Sequence, residues 1–570
     1  MSNLILAENK ASNYTIIVSA DATPSERHAA KELQTYLRKI AGVLLPLRDD
    51  AGPLEPHEIL IGFNAHVQAA GVSVTPEQLG QEGYHLCTAA QRLLILGSAQ
   101  RGALYGVYAF LEEYLGCRWF TPTVSRIPRR DRVELAPLSK TFVPPLEYRD
   151  PYYADAFDGD WAARNRVNGY HVYAGKKHGG CVTYAGFVHT FDTLLPVSEF
   201  YDAHPEYYAL IDGKRVRENT QPCLTNPEVF DIVLDRVRRR IRENPQAAIV
   251  SVSQNDNYNY CQCDACRALD DREESHAGTI LAFVNRIAAV LAEEYPELIV
   301  DTLAYQYTRK PPKTLRPLPN VAVRLCSIEC CFSHPMEQCQ AVAAFSEKGF
   351  NNTFQADLEG WAAICDRLYV WDYVTNFRHY LLPFPNFRVL QPNIQFLIRH
   401  HVKGIFEEGN YAAGGGEFSQ LRQYVLAKLL WDPDCDAELA VDEFLAAYYS
   451  MSAPWIRRYI DWMQRQVEAP DRHISFHDPI DSPYLSDEFV RTAKQLLEQA
   501  LLVADNDKVR SRVLTLYLGV RQIELARLPA DDPTRETQLN AFRAALLACG
   551  ITELQEGAPL EKTLQEMRRL

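Results

Sequence analysis

Val402-Lys403-Gly404-Ile405-Phe406-Glu407-Glu408, running straight into Gly409-Asn410-Tyr411, decides the fold. Its apolar middle suits a strand enclosed on both faces, and its glutamates fall where such a strand would end. Working outward, seven segments of the same character precede it, at 146–150, 167–171, 187–191, 248–255, 298–305, 321–329 and 368–374. Residues 275–295 and 392–400 have the periodicity of crossover helices. Eight such units predict a central (β/α)₈ TIM barrel over residues 141–435, a fold that takes about 250 residues. The insertion at 192–247 carries a strand at 207–211 and an Asp212-Gly213 turn.

The flanks read differently. Residues 1–140 alternate strand and helix, as an α/β sandwich domain does. Thr23-Pro24-Ser25-Glu26 has the cap, the proline and the glutamate of a helix start. Ala29, Ala30, Leu33, Leu37 and Ile40 then make one stripe, and Gly42 supplies the stop. A second helix spans 101–115, and 126–145 reads as a linker. Residues 436–570 are nearly all amphipathic helix without a chemistry-bearing motif, so an α-helical cap or a homodimer element is expected there.

Composition narrows the function classes. The chain has 570 residues, too many for one core. Its 59 Lys+Arg against 73 Asp+Glu give a net charge of −14, which disfavours nucleic acid as a partner. No long apolar run and no basic-then-apolar leader occurs, so neither membrane insertion nor export is expected, and a cytoplasmic location follows. Fourteen cysteines without an export signal favour free thiols or a metal site over disulfides.

Barrel active sites lie at the C-terminal ends of the strands. Those ends bring Arg149, His189, Asn255, Asp256, Glu329, Trp371, Asp372, Glu407 and Glu408 toward one mouth, with Tyr305 as core or sugar subsite. Four strand ends thus deliver carboxylates, the inventory that glycosidic cleavage needs: one acid for the leaving oxygen and a second carboxylate as base or nucleophile. The bland alternative pairs these carboxylates with Arg149, Arg164 or Arg378. Strand alternation allows only one of Glu407 and Glu408 to face the mouth, and only one of Trp371 and Asp372; Glu407 is favoured of the first pair. Asp256 or Glu329 is expected as general acid, with Asp372 and Glu407 or Glu408 as base or nucleophile. Gly414-Gly415-Gly416 reads as a tight loop beside the sugar. Cys261, Cys263 and Cys266 have half the ligand set of a structural zinc site, with Cys330 or Cys331 as candidate fourth ligand. His189, His204, His334, His400 and His401 are isolated. No cofactor is required for the chemistry.

Glu82-Gly83-Tyr84-His85-Leu86, the run LLILGS and residues 101–122 resemble the N-terminal domain of family 67 α-glucuronidases and of β-hexosaminidases. Residues 204–215, 251–266, 320–325, 369–377 and 427–433 resemble the domain-of-unknown-function 4838 (DUF4838) family, and the likeness covers most of 10–460. The resemblance implies a glycoside-hydrolase-like barrel. In family 67 it implies inversion, with a glutamic acid on strand four as acid; this chain has Asp256 there. The base pair corresponds to Asp372 with Glu407 or Glu408. A glucuronate substrate would need a cation such as Arg149, Arg164 or Lys176.

The expectation is therefore an exo-acting, α-glucuronidase-like glycoside hydrolase on a small uronic-acid-containing or amino-sugar oligosaccharide. Its rivals are a non-catalytic carbohydrate-binding protein on the same scaffold and a zinc-dependent enzyme.

Overall fold

The computed structural model describes residues 3–339, 353–411 and 415–569. The N-terminal domain is a mixed six-stranded sheet of β1 (Thr15–Val18), β2 (Leu47–Asp49), β3 (Glu58–Ile61), β4 (Tyr84–Ala89), β5 (Arg92–Gly97) and β6 (Ser139–Phe142), in the order β6-β4-β5-β3-β1-β2. Helices α1 (Pro24–Ala41) and α2 (Gly102–Glu113) pack on it through Leu33, Leu37, Leu104 and Leu111. The start of α1 is as the sequence predicts. Thr23 Oγ1 accepts from Glu26 N at 3.2 Å, Glu26 Oε2 accepts from Thr23 N at 2.8 Å, and Gly42 ends the helix at φ 72°. The expected linker is not one. β6 lies in that stretch and pairs with β4, and Arg132–Leu135 pairs with Leu4–Glu8.

The central domain is a curled, all-parallel sheet of seven strands. These are β7 (Tyr148–Tyr152), β8 (Tyr184–Ala185), β9 (Ile249–Ser251), β10 (Ile299–Ala304), β11 (Val321–Cys326), β12 (Leu368–Tyr373) and β13 (Val402–Glu408), in the order β7-β13-β12-β11-β10-β9-β8. The sheet is TIM-like, but two expected strands are corrected. Residues 167–171 form no strand. Asn168 bridges the gap between β7 and β8, accepting from Arg149 N through its side chain (2.9 Å) and from Val182 N through its carbonyl (2.8 Å). Arg166 at φ 59° and Gly169, where a Cβ would meet Asp150 Cγ at 2.2 Å, keep the segment irregular. The third strand is β8 rather than 187–191, because Gly186 (φ 79°) and His189 (φ 51°) turn the chain out of the sheet.

The interior of the sheet is filled. Arg324 is fully buried beside Asp301 (3.3 Å) and among the rings of Tyr148, Tyr184, Phe187, Tyr369 and Trp371. This plug lies beneath the open space at the C-terminal strand ends, and a separate cavity lined by Ala248, Ile249, Leu298, Ile299 and Asn320 lies at the opposite ends. Helices α3 (Asp264–Glu273), α4 (Ala277–Glu294), α5 (Phe387–Arg399) and α6 (Ser419–Trp431) cover the outside. C-terminal helices α7 (Ala437–Tyr449), α8 (Ala453–Arg465), α9 (Asp487–Leu502) and α10 (Asp507–Ala526) share one continuous core with the barrel. Among the described residues no single helix is long and apolar enough to cross a membrane.

Candidate active site

A cavity of about 430 Å³ opens above the arginine plug, inside the roughly 300–1,000 Å³ range of small-molecule sites. Alternation along two adjacent strands decides what reaches it. Trp371 and Tyr373 of β12 and Glu408 of β13 line the cavity. Asp372 and Glu407, paired in register, point the other way. The preference for Glu407 is thus reversed, and Asp372 and Glu407 are corrected from mouth-lining residues to a buried acid pair behind the sheet. Asp372 accepts from Tyr373 N (2.9 Å) and from the Ser327 hydroxyl. Burial raises its pKa to about 6. Burial, with Asp372 opposite, pushes Glu407 well above the ordinary carboxyl range.

The other expected residues divide the same way. Asp256 lines the cavity and accepts from Tyr305 Oη (3.0 Å) and Gln306 Nε2 (3.4 Å). His189, Tyr305 and Trp371 line it too. The Nδ1 of His189 donates to the Gln254 carbonyl at 2.8 Å, which fixes its tautomer. Asn255, by contrast, is buried. Its Oδ1 accepts from Asp192 N (2.8 Å) and its Nδ2 donates to the Thr220 carbonyl (2.9 Å), so it braces the insertion instead of facing a ligand. Glu329 is held by Arg309 at 3.0 Å and does not line the cavity. Arg149 is fully buried at the opposite end of its strand layer, 2.7 Å from Glu82 of the N-terminal domain and over the Trp431 ring. Arg164 pairs with Glu32. In the glycine run, Gly414 lies outside the described residues, and a Cβ at Gly415 would meet Ile551 at 3.1 Å.

Gln306, Phe476, His477 and Glu556 also line the cavity and escaped the sequence reading. The last three come from the C-terminal region. Glu556 sits at the turn between Glu553–Gln555 and Ala558–Pro559, where its N–H donates to the Phe377 carbonyl at 2.9 Å. The available signal was the pair of non-helical breaks, 468–486 and 550–559, inside an otherwise helical pattern.

Glu408 is the electrostatic centre. Burial raises its pKa, Glu556 and Asp256 add like charge, and the Trp371 indole N–H (2.8 Å) offsets only part, leaving it at about 8. Glu556 is itself raised, by burial and then by Asp256 and Glu553. His477 is lowered by burial and by Arg378, which keeps the imidazole neutral. Tyr373, Phe377 and Phe476 supply ring faces, with Tyr373 and Phe476 centroids 5.6 Å apart. The cavity therefore holds a protonated carboxyl and a second carboxyl that accepts two hydrogen bonds beside aromatic walls, a set competent for acid–base chemistry on a sugar.

Below the insertion, Cys223 joins Cys261, Cys263 and Cys266, all four sulfurs within 4.8 Å of one another. The fourth partner is Cys223, not Cys330 or Cys331. Cys223 Sγ lies 3.7 Å from Cys263 Sγ and 4.0 Å from Cys266 Sγ, and the Arg215 guanidinium lies 3.9 Å from Cys261 Sγ. This buried cluster could hold a metal ion.

The DUF4838 model, a domain of unknown function, matches residues 119–461, well over half of the chain. The chain belongs to the DUF4838 family. Residues 3–110 of this DUF4838 protein match the glycosyl hydrolase family 67 N-terminus. Alpha-glucuronidase A of Emericella nidulans is 35% identical over 104 residues, which is 17% of this chain and 12% of the fungal one. The match thus spans a small fraction of that relative's length. A family GH115 4-O-methyl-alpha-glucuronidase with specificity for decorated arabinogalactans shares the fold. Its TM-score is 0.57 at 12% identity, covering 99% of this DUF4838 chain and 78% of the other. A Flavobacterium johnsoniae chitobiase gives 0.47 at 10%, covering 100% and 97%. The DUF4838 chain is glycoside-hydrolase-like in fold.

Proposed function

We propose that the chain is an exo-acting glycoside hydrolase in which Glu408 is the general acid and Asp256 the carboxylate that acts as base or nucleophile. The observation that carries this is one cavity lined both by a carboxyl that keeps its proton and by a second carboxyl that accepts hydrogen bonds. Glu408 retains its proton to about pH 8, while Asp256 is placed to accept from Tyr305 and Gln306. A carboxyl that keeps its proton and a second carboxyl that accepts hydrogen bonds, beside a sugar-sized space, supply the acid and its counterpart. Among the described residues no Lys or Arg lines the cavity, whereas Asp256, Glu408 and Glu556 do. A uronate would meet no cation there, so of the expected substrates an amino-sugar oligosaccharide is the better match.

A panel of p-nitrophenyl glycosides and short oligosaccharides tests this. Turnover of amino-sugar or neutral substrates, lost in Asp256→Asn, supports the assignment. A protein that binds such sugars but releases no product from any of them is a carbohydrate-binding protein on an enzyme scaffold.

We also infer that the four-cysteine cluster takes a structural zinc ion. Zn–S bonds of about 2.3 Å in a tetrahedron put sulfurs ~3.8 Å apart, which the 3.7 and 4.0 Å separations match. Four thiolates around a dication leave negative charge, and Arg215 is placed to offset it. The ion would tie the insertion to the loop after β9 that carries Asp256. Metal analysis of Cys223→Ser against the unmodified protein decides it: equal zinc in both excludes the site.

A further inference from the structure

We propose a second metal site. Cys331, His334, Cys339 and His473 form a Cys₂His₂ centre for zinc or a similar divalent transition ion, and it clamps the cavity-lining segment 469–478 to the barrel.

The four ligand atoms lie within 4.8 Å of one another. Cys331 Sγ is 3.4 Å from His334 Nδ1, and Cys339 Sγ is 3.7 Å from His473 Nδ1. A tetrahedral ion with Zn–S about 2.3 Å and Zn–N about 2.0–2.1 Å sets S···N separations near ~3.6 Å. The orientation of one imidazole points the same way. His334 Nε2 lies 3.2 Å from the Ala469 carbonyl, which can only accept, so the ring proton sits on Nε2 and Nδ1 turns its lone pair toward the thiols. A metal-bound histidine whose second nitrogen donates to a backbone carbonyl is the usual outer-shell arrangement. The donor set also suits the setting. Two thiolates and two neutral imidazoles around a dication make a neutral complex, which a half-buried position tolerates without a nearby cation. All four positions come from the protein, so the centre is closed and structural.

Its place in the fold gives it a task. Cys331, His334 and Cys339 follow β11, whereas His473 belongs to the non-helical stretch after α8. Phe332 N donates to the Ile474 carbonyl (3.0 Å) and Phe377 N to the Phe476 carbonyl (2.8 Å), stitching that stretch over the strand ends. Phe476 and His477, three and four residues beyond the ligand, line the cavity. The ion thereby fixes one wall of the candidate active site.

The test uses the full chain purified without chelator. Elemental analysis should find about two metal equivalents per chain. His473→Ala and Cys331→Ser should each lose about one, and a four-cysteine-cluster variant such as Cys263→Ser should lose the other. Independently of any variant, alkylation mapped by mass spectrometry should find Cys331 and Cys339 protected in the metal-loaded protein. After chelation both should label, and residues 469–478 should exchange amide hydrogens about tenfold faster or more. Cobalt reconstitution should give a tetrahedral visible spectrum with a thiolate charge-transfer band that His473→Ala alters. A content of one equivalent that His473→Ala leaves intact overturns the proposal. So does finding Cys331 and Cys339 joined in a disulfide, or labelled equally with and without metal.

Discussion

Glu408 holds its proton at neutral pH through burial first, the Glu556 carboxylate second, and only partial relief from the Trp371 donor. In the unfolded chain it would titrate near roughly 4.3. The folded protein binds this proton more tightly, so the stability it contributes is complete below about pH 4.3, declines as pH rises, and is gone above about pH 8. Glu408→Gln should therefore match the wild type in urea midpoint below pH 5 and exceed it above pH 8. In the same variant kcat/KM should lose its basic limb near pH 8. Turnover should fall about 10²- to 10⁴-fold on substrates with poor leaving groups and far less on nitrophenyl glycosides. Glu556→Gln should keep the limb and move it to lower pH, because it removes the neighbouring negative charge that helps hold the proton on Glu408. A Glu408→Gln protein that destabilises with rising pH as steeply as the wild type would exclude the buried-acid argument.

The elements show why part of the site was legible and part was not. Alternation along β13 correctly restricts the mouth to one glutamate, but its phase is invisible to hydropathy. Ile405 and Phe406 are both fully buried, one toward the helices and one toward the plug, so neither face is marked as outside. The weak strands failed for a related reason: a segment such as 167–171 satisfies β7 and β8 through the side chains of Asn168, Tyr170 and His171, which no periodicity reports. Local motifs fared better because their partners lie within a turn. The reciprocal bonds of the Thr23/Glu26 box join residues 23–26 themselves, and the Thr23 hydroxyl adds a bond to the Ala99 carbonyl at 2.8 Å. Thr23→Ala should cost about 1 kcal/mol, read as a lower urea midpoint of the N-terminal domain. kcat/KM should stay unchanged, since α1 contributes nothing to the cavity. A change in kcat/KM would instead couple that domain to catalysis.

Across the whole molecule, the site is assembled from parts that the sequence presents as separate. The barrel supplies Asp256 and Glu408, and the C-terminal region supplies Phe476, His477 and Glu556. Helical periodicity marks that region as packing material, and of its breaks those at 468–486 and 550–559 carry the site. The N-terminal domain acts at the opposite end, through a buried charge node. Glu82 lies 2.6 Å from Arg101 and 2.7 Å from Arg149, while Asn168 donates to it at 2.8 Å and Trp431 lies under the Arg149 guanidinium at 5.2 Å. Burial alone would raise the Glu82 pKa, but the two arginines and their hydrogen bonds bring it below the ordinary value. Arg149→Met keeps the bulk over Trp431 and leaves Glu82 with one cation instead of two. Removing a partner from a buried ion pair costs about 3–5 kcal/mol, so the variant should unfold at markedly lower urea at pH 7. Since Glu82 is depressed in the folded state, its contribution is present above the unfolded carboxyl value and lost as pH falls through the folded one. The gap between wild type and variant should accordingly narrow below about pH 4. Trp431 fluorescence would follow the separation of domain from barrel. A gap that stays constant from pH 7 to pH 3 would mean that Arg149 acts by packing on Trp431 and not by charge.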